Sequence, residues 1–310
     1  MCFLGALANL LGCPLVVQDS YRYVFDSAWG TWGTGDGEFA SPTGIAVSRA
    51  DFIYVVDSWN HRVQKMAIHG GFFSKWGTQG AKDGQFSTPH GVDVSPDGFV
   101  YVVDHWNYRI QKFAGDGKFV TKWGGEGTGN GKFLSPYGVA VSADGAVYVA
   151  DTGNHRIQKF TPAGGFITKW GSQGSEDGEF IWPTAVAVGA NGSVYVVDSG
   201  NHRIQRFTPS GDFLAKWGSE GSKDRQFSSP HGIAIGPENA VFIADTGNNR
   251  IQKFSLDGDF LNKWGRFGTG NSEFDAPYDV AVDIFGAVYV ADSGNNRIQK
   301  FVPVQISQDP

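Results

Sequence analysis

Cysteine is almost missing from this chain: of 310 residues only Cys2 and Cys13 are cysteines, both near the start. No disulfide can therefore staple the body of the protein, and thiolate zinc sites are excluded from it. Helical periodicity is missing too, since no stretch brings apolar residues back every three or four positions. The most apolar segment, "MCFLGALANLLGCPLVV", is too short to span a bilayer. Positive charge is not in excess: the formal net charge is −6, so a general attraction to nucleic acid or anionic membrane is not expected. The many glycines precede no helix, which removes a phosphate-binding loop. No Ser–His–Asp set can be nominated from spacing.

What the chain has in abundance is glycine, 44 residues, and repetition. The stretch "VYVADTGNHRIQKF" at 147–160 recurs in close copies, and its Asp returns as Asp57, Asp104, Asp151, Asp198, Asp245 and Asp292, always 47 residues apart. The same step carries Trp29, Trp76, Trp123, Trp170, Trp217 and Trp264, and a Pro series from Pro42 to Pro277. Each unit reads as four short strands rich in Val, Ile, Tyr and Phe, separated by turns of Gly, Asn, Asp and Pro. Runs such as "VYVAD" do not alternate, which suits a sheet covered on both faces. A four-stranded sheet repeated in this way predicts an all-β, six-bladed β-propeller over residues 21–310.

The residues that fix the unit are "NHR" at Asn60–Arg62, Asn154–Arg156 and Asn201–Arg203, "NYR" at Asn107–Arg109, and "NNR" at Asn248–Arg250 and Asn295–Arg297. All six copies resemble the NHL repeat, and the resemblance implies the same six-bladed propeller. Closure is legible separately. Outer strands begin at Phe72, Phe119, Phe166, Phe213 and Phe260, whereas the last unit has none; the missing Phe is Phe25, 47 residues before Phe72. "YRYVFDSAW" is therefore expected to complete the last blade and remove an exposed edge.

Repetition also sorts side chains by role. Asp and Arg of "D-x-x-N-x-R" flank a tight turn, where a carboxylate can accept turn amides and face the guanidinium. Six copies of a catalytic acid make little sense, whereas six structural clips do. Of 25 Lys and Arg, all but eight are repeat positions, so positive charge is spread rather than clustered. RNA binding, the activity best known for animal NHL propellers, is disfavoured on this ground.

The exceptions are left for function. Alternating strand direction puts the "D-x-G-N" turns and the long "WG…F…P" connectors on one face, here called the connector face. The four non-repeat tryptophans, Trp32, Trp59, Trp106 and Trp182, all map to it, as does Phe267. Such aromatics suit a protein, peptide or glycan partner. Its connectors hold twelve acids, Asp36 to Asp279, against five bases, which predicts an acidic rim. A second group follows the repeated prolines at the mouth of the central channel: Thr43, His90, Tyr137, Thr184, His231 and Tyr278, with Asp93 and Asp279 close by. His90 and His231 are expected far apart across the disc. His90, His231 and Asp93 are candidate ligands for zinc or calcium. The peptidyl-amidating lyases, which resemble this chain in fold, place zinc-binding His in such a channel.

These observations favour a non-catalytic recognition scaffold with no required cofactor; the alternative is a metal-dependent lyase or hydrolase in the channel. Residues 1–20 have two readings. "LLGC" resembles a bacterial lipoprotein processing site, with Cys13 acylated and the protein anchored outside the cytoplasm. Alternatively, lacking the basic residues of an export signal, the segment is an irregular extension.

Overall fold

A computed structural model describes residues 19–306; Cys2, Cys13 and the apolar segment around them lie outside the described residues. The described chain forms six separate four-stranded antiparallel sheets, the blades of a propeller. No helix in it is long and apolar enough to cross a membrane.

Blade three shows how the sequence makes the sheet. Its strands are Val139–Val141, Val147–Asp151, Arg156–Phe160 and Phe166–Trp170, from the channel outward. Every residue of Val147–Asp151 is buried, as its unbroken apolar run requires. The outermost strand alone alternates half-buried and exposed residues, because one of its faces meets water. Strands two and three pair from Val147 opposite Phe160 to Asp151 opposite Arg156. That register puts the acid and the base of the clip side by side at the hairpin end.

The core lies between blades rather than within them. Phe39, Ile45, Ile53 and Val55 of blade one, for example, pack against Ala281, Tyr289, Ala291 and Ile298 of blade six. The repeated tryptophans serve this packing. Trp76 lies against Gly117 of the next blade, where φ is +88° and a Cβ would sit 2.8 Å from the indole. Only glycine meets both demands. The indole nitrogens of all six repeated Trp are buried without an acceptor, so the blade uses the ring and not its N–H.

Closure occurs as the repeat phase predicts. Tyr21–Trp29 is the outer strand of blade six and pairs with Arg297–Gln305, from Tyr21 opposite Gln305 to Trp29 opposite Ile298. It is also fastened to blade five. Tyr23 stacks on Trp264 at 4.8 Å, and Lys253 Nζ meets Asp19 at 2.7 Å in a buried ion pair.

The middle residue of the "N-H-R" triplet acquires a reason. After Asp57, a short 3-10 turn, Ser58–Asn60, delivers His61 in the left-handed conformation, φ 51° and ψ 43°. Asn and Asp visit that region more readily than most residues. His61 is held there because its Nδ1 accepts the Thr88 N–H of the next blade at 3.0 Å. His155 and His202 accept from Trp182 and Ser229 in the same way. Asn249 and Asn296 do so through Oδ1, from Ala276 and Ser41. Both side-chain types put an acceptor in the same place, so His and Asn interchange. Tyr108, the remaining copy, has no acceptor there.

Candidate functional site

The clips are structural in every blade. In blade three the fully buried Asp151 accepts Leu134 N–H at 2.8 Å, Asn154 Nδ2 at 2.9 Å, Arg156 Nε at 2.7 Å and Gln158 Nε2 at 2.9 Å. The Arg156 guanidinium donates onward to the carbonyls of Thr128, Gly129 and Lys132. Each clip thus ties its hairpin turn to the connector, and no carboxylate oxygen is left for chemistry.

The same bonds put turns and connectors on one face. Trp59 N–H donates to Ala40 O, and Asn60 Nδ2 to Gly33 O of the connector that carries Trp32. The five exceptional aromatics are strongly exposed: Trp32 74%, Phe267 70%, Trp59 69%, Trp182 60% and Trp106 54%. Trp59 and Trp106 stand where four blades have Gly. A Cβ on Gly153, Gly200 or Gly247 would strike Leu134, Ile181 or Ser228, backbone carbonyl included, so the turn of the first two blades must differ slightly to carry an indole. Sequence reading missed Phe285, 71% exposed, in the blade-six turn on the opposite face.

The acidic rim needs correction. Asp36, Asp83, Asp177 and Asp224 pair with Lys75, Lys122, Lys216 and Lys263 at 2.5–2.7 Å. Those lysines project from the outer strands and were not counted with the connectors. The two remaining blades have Asn130 and Asn271 at the acid's position. Glu273 is paired with Arg266, and Asp279 belongs to the channel wall. The face is thus close to electrically balanced.

At the channel mouth a second correction applies. His90 and His231 are not far apart: both rings pack on Tyr278, at centroid distances of 6.0 and 4.3 Å. Blades opposite on the ring meet at its axis, where the channel is narrow. His90 also packs on Tyr137 at 4.4 Å and on His105 at 4.8 Å. Thr43 and Thr184 hydroxyls donate to the His90 and His231 carbonyls.

In the channel, sequence reading missed His105. It replaces a Ser or Thr that follows the clip Asp in every other unit. Thr152 and Thr246 there donate to the Pro carbonyl of the next blade, and His105 Nδ1 takes that place on Pro136 O at 3.0 Å. Comparing this single column across the units would have found it.

Asp93 and Asp279 sit deeper. Asp93 accepts the N–H groups of Val94 and, in the next blade, Val141, both at 2.7 Å. Asp279 accepts Val280 N–H at 2.9 Å and Ile45 N–H at 3.0 Å. Burial pushes the Asp93 carboxyl up to about 6 and that of Asp279 to about 7, the latter helped slightly by Asp93. Burial lowers His90 to about 3, with His105 and His231 adding to it, and His231 to about 4. Both imidazoles are therefore neutral at pH 7. Among the described residues, no three His, Cys, Asp or Glu side chains converge as a metal ligand set; His90, His231 and Asp93 do not form one.

The NHL repeat family pattern matches residues 39–66, 86–113, 133–160, 180–207, 227–254 and 274–301. No curated protein matches the sequence. Similar solved structures include a streptogramin B lyase, 16% identical, covering 92% of this chain and 98% of that one with a TM-score of 0.64. Virginiamycin B lyase from Staphylococcus aureus is also 16% identical, with 93% and 90% covered and a TM-score of 0.61. An auxiliary nutrient binding protein from Bacteroides ovatus ATCC 8483 is 16% identical, with 92% and 78% covered and a TM-score of 0.68. Identities this low establish a shared fold and nothing about activity. With six complete repeats in six closed blades, the chain belongs to the NHL-repeat family.

Proposed function

We propose that the propeller is a recognition scaffold that takes a protein, peptide or glycan partner on its connector face. The observation that carries this reading is the set of five exposed aromatic rings, Trp32, Trp59, Trp106, Trp182 and Phe267, on that face. Each departs from its repeat position or lies outside the repeated Trp series, so the fold does not require it. With the face close to electrically balanced, aromatic burial rather than charge drives association. The rings sit on turns and connectors fixed by clips, which keeps the ordering cost of binding low.

The test replaces Trp59 and Trp106 by Gly, the residue found there in the other four blades. Native and W59G/W106G proteins are compared on glycan and peptide arrays, with melting temperature as a control. The expected result is unchanged melting and affinity for the captured ligand reduced about 25-fold or more, equivalent to ~2 kcal/mol. Equal binding by the double variant would remove this face from consideration. Metal analysis of the purified protein separates the rival reading: stoichiometric zinc or calcium lost in His90→Ala or Asp93→Ala would favour chemistry in the channel.

A further inference from the structure

The channel contains groups that neither the ring architecture nor the aromatic face uses. Its cavity of ≈ 260 Å³ is lined largely by apolar strand residues, among them Ile45, Val141, Val188, Ile235 and Val282. A cavity of roughly 150 Å³ already holds benzene in another protein. Past Val188, Ile235 and Val282 the space continues towards the face opposite the connectors, beside Ala190, Pro237 and the exposed Ile284.

Two carboxyl groups are set into this wall where the repeat has none. Position 93 is Ala in the other five units, and position 279 is Gly or Ala. Their oxygens accept backbone N–H groups, and no cation contributes to the environment of either. The polar end of the cavity is also rich in acceptors. His90 Nδ1 is buried with no partner. His231 places Nδ1 on the Ser229 carbonyl at 3.0 Å, and His105 does the same on Pro136. His231 and His105 therefore each spend an N–H on a carbonyl and keep the second nitrogen as an acceptor.

We propose that the channel binds a small organic cation with an apolar tail, a primary alkylammonium. Its nitrogen pairs with the Asp279 carboxylate, Asp93 in the same cavity wall adds attraction, and its tail runs along the Val and Ile side chains. An ammonium is all donor, with three N–H groups and no acceptor, which complements a site with surplus acceptors. Above pH 7, where both groups are ionised, an anionic ligand would meet two like charges, and a neutral alcohol would leave both carboxylates uncompensated. A metal ion would need the convergent ligand set that the described residues do not provide.

Isothermal titration of the full chain with n-hexylammonium chloride tests this, with n-hexanol and hexanoate as controls. The expected result is one site per chain, at least tenfold tighter for the ammonium than for either control. Affinity should fall as pH drops from 8 to 5.5, because Asp279 and then Asp93 take up protons through about 7 and about 6. His90 and His231 stay neutral across that range, burial holds His105 down, and burial raises Tyr137 and Tyr278 away from it. Asp279→Gly restores the commonest repeat residue, and Asp279→Asn keeps an acceptor for Ile45 N–H should the first variant fold poorly. Both should weaken ammonium binding at least tenfold. Hexanol binding as tightly as the ammonium, unchanged affinity in D279N, or no binding at millimolar ammonium would each overturn the proposal.

Discussion

Replacing Asp151 by Ala tests whether the recurring acids belong to the architecture. The carboxylate is completely buried and its guanidinium partner nearly so. Removing it strands Arg156 as a buried charge, deprives Leu134 N–H of its acceptor, and costs Asn154 and Gln158 one of their two acceptors each. Breaking a buried ion pair by deleting one partner costs about 3–5 kcal/mol, and a stranded buried donor about 1–3 kcal/mol. These penalties overlap, because Arg156 keeps its bonds to Thr128, Gly129 and Lys132. The expected loss is therefore ~4 kcal/mol, a large share of the ~5–15 kcal/mol that holds a typical domain together. Equilibrium urea unfolding followed by tryptophan fluorescence measures it. Asp198→Ala should cost the same within error, since its bonds to Ile181 N–H, Asn201, Arg203 and Gln205 repeat the pattern. A loss below about 1 kcal/mol at both sites would refute the clip reasoning, being no more than an exposed ion pair contributes.

Three further outcomes follow from the ring. Deleting residues 21–29 removes the outer strand of blade six and the Tyr23–Trp264 stack; calorimetry should show a large drop in melting temperature, and an unchanged melt would contradict closure. His61 has a depressed pKa, chiefly through burial, and its neutral Nδ1 holds Thr88 N–H. In this region the unfolded chain binds more protons, so this contribution is complete above about 6.5 and declines as pH falls below it. In His61→Asn, which copies Asn249 and Asn296, urea midpoints should keep their value at pH 7.5 and lose part of that acid sensitivity; an identical pH profile would sink the latch assignment. Lys122→Ala should change stability by no more than ~1 kcal/mol, because its pair with Asp83 is exposed on both sides, and thermal melts will show it.

What could be read from the sequence was local or periodic. Asp151 and Arg156 lie five residues apart across one hairpin turn, so their meeting follows from strand pairing alone. Phe25 revealed closure because its phase within the repeat is independent of three-dimensional detail. The misreadings concern distances that a linear repeat does not encode. Lys122 reaches Asp83 across the blade from the outer strand to the connector, so a tally of connector residues alone overstated the acidity. His90 and His231 were placed by angle around the disc, which ignores how small the radius is at its axis. His105 was hidden because it arises from the turn after strand two, far in sequence from the residues that follow the repeated prolines. Nothing within one unit gives the His of the triplet a role; its bond to the following blade emerges only once neighbouring units are stacked.

Closure by Tyr21–Trp29 also imposes a sequence of events on the ribosome. This strand emerges first, yet its partner Arg297–Gln305 is made last. For nearly all of the ring's synthesis it waits unpaired, with Tyr23, Phe25 and Trp29 uncovered, while five blades can already stack behind it. A chain interrupted before the last blade leaves that edge permanently sticky, ready to zip onto another nascent copy. Moving the segment to the far end, by circular permutation, should shorten the waiting period and raise the yield of soluble rings.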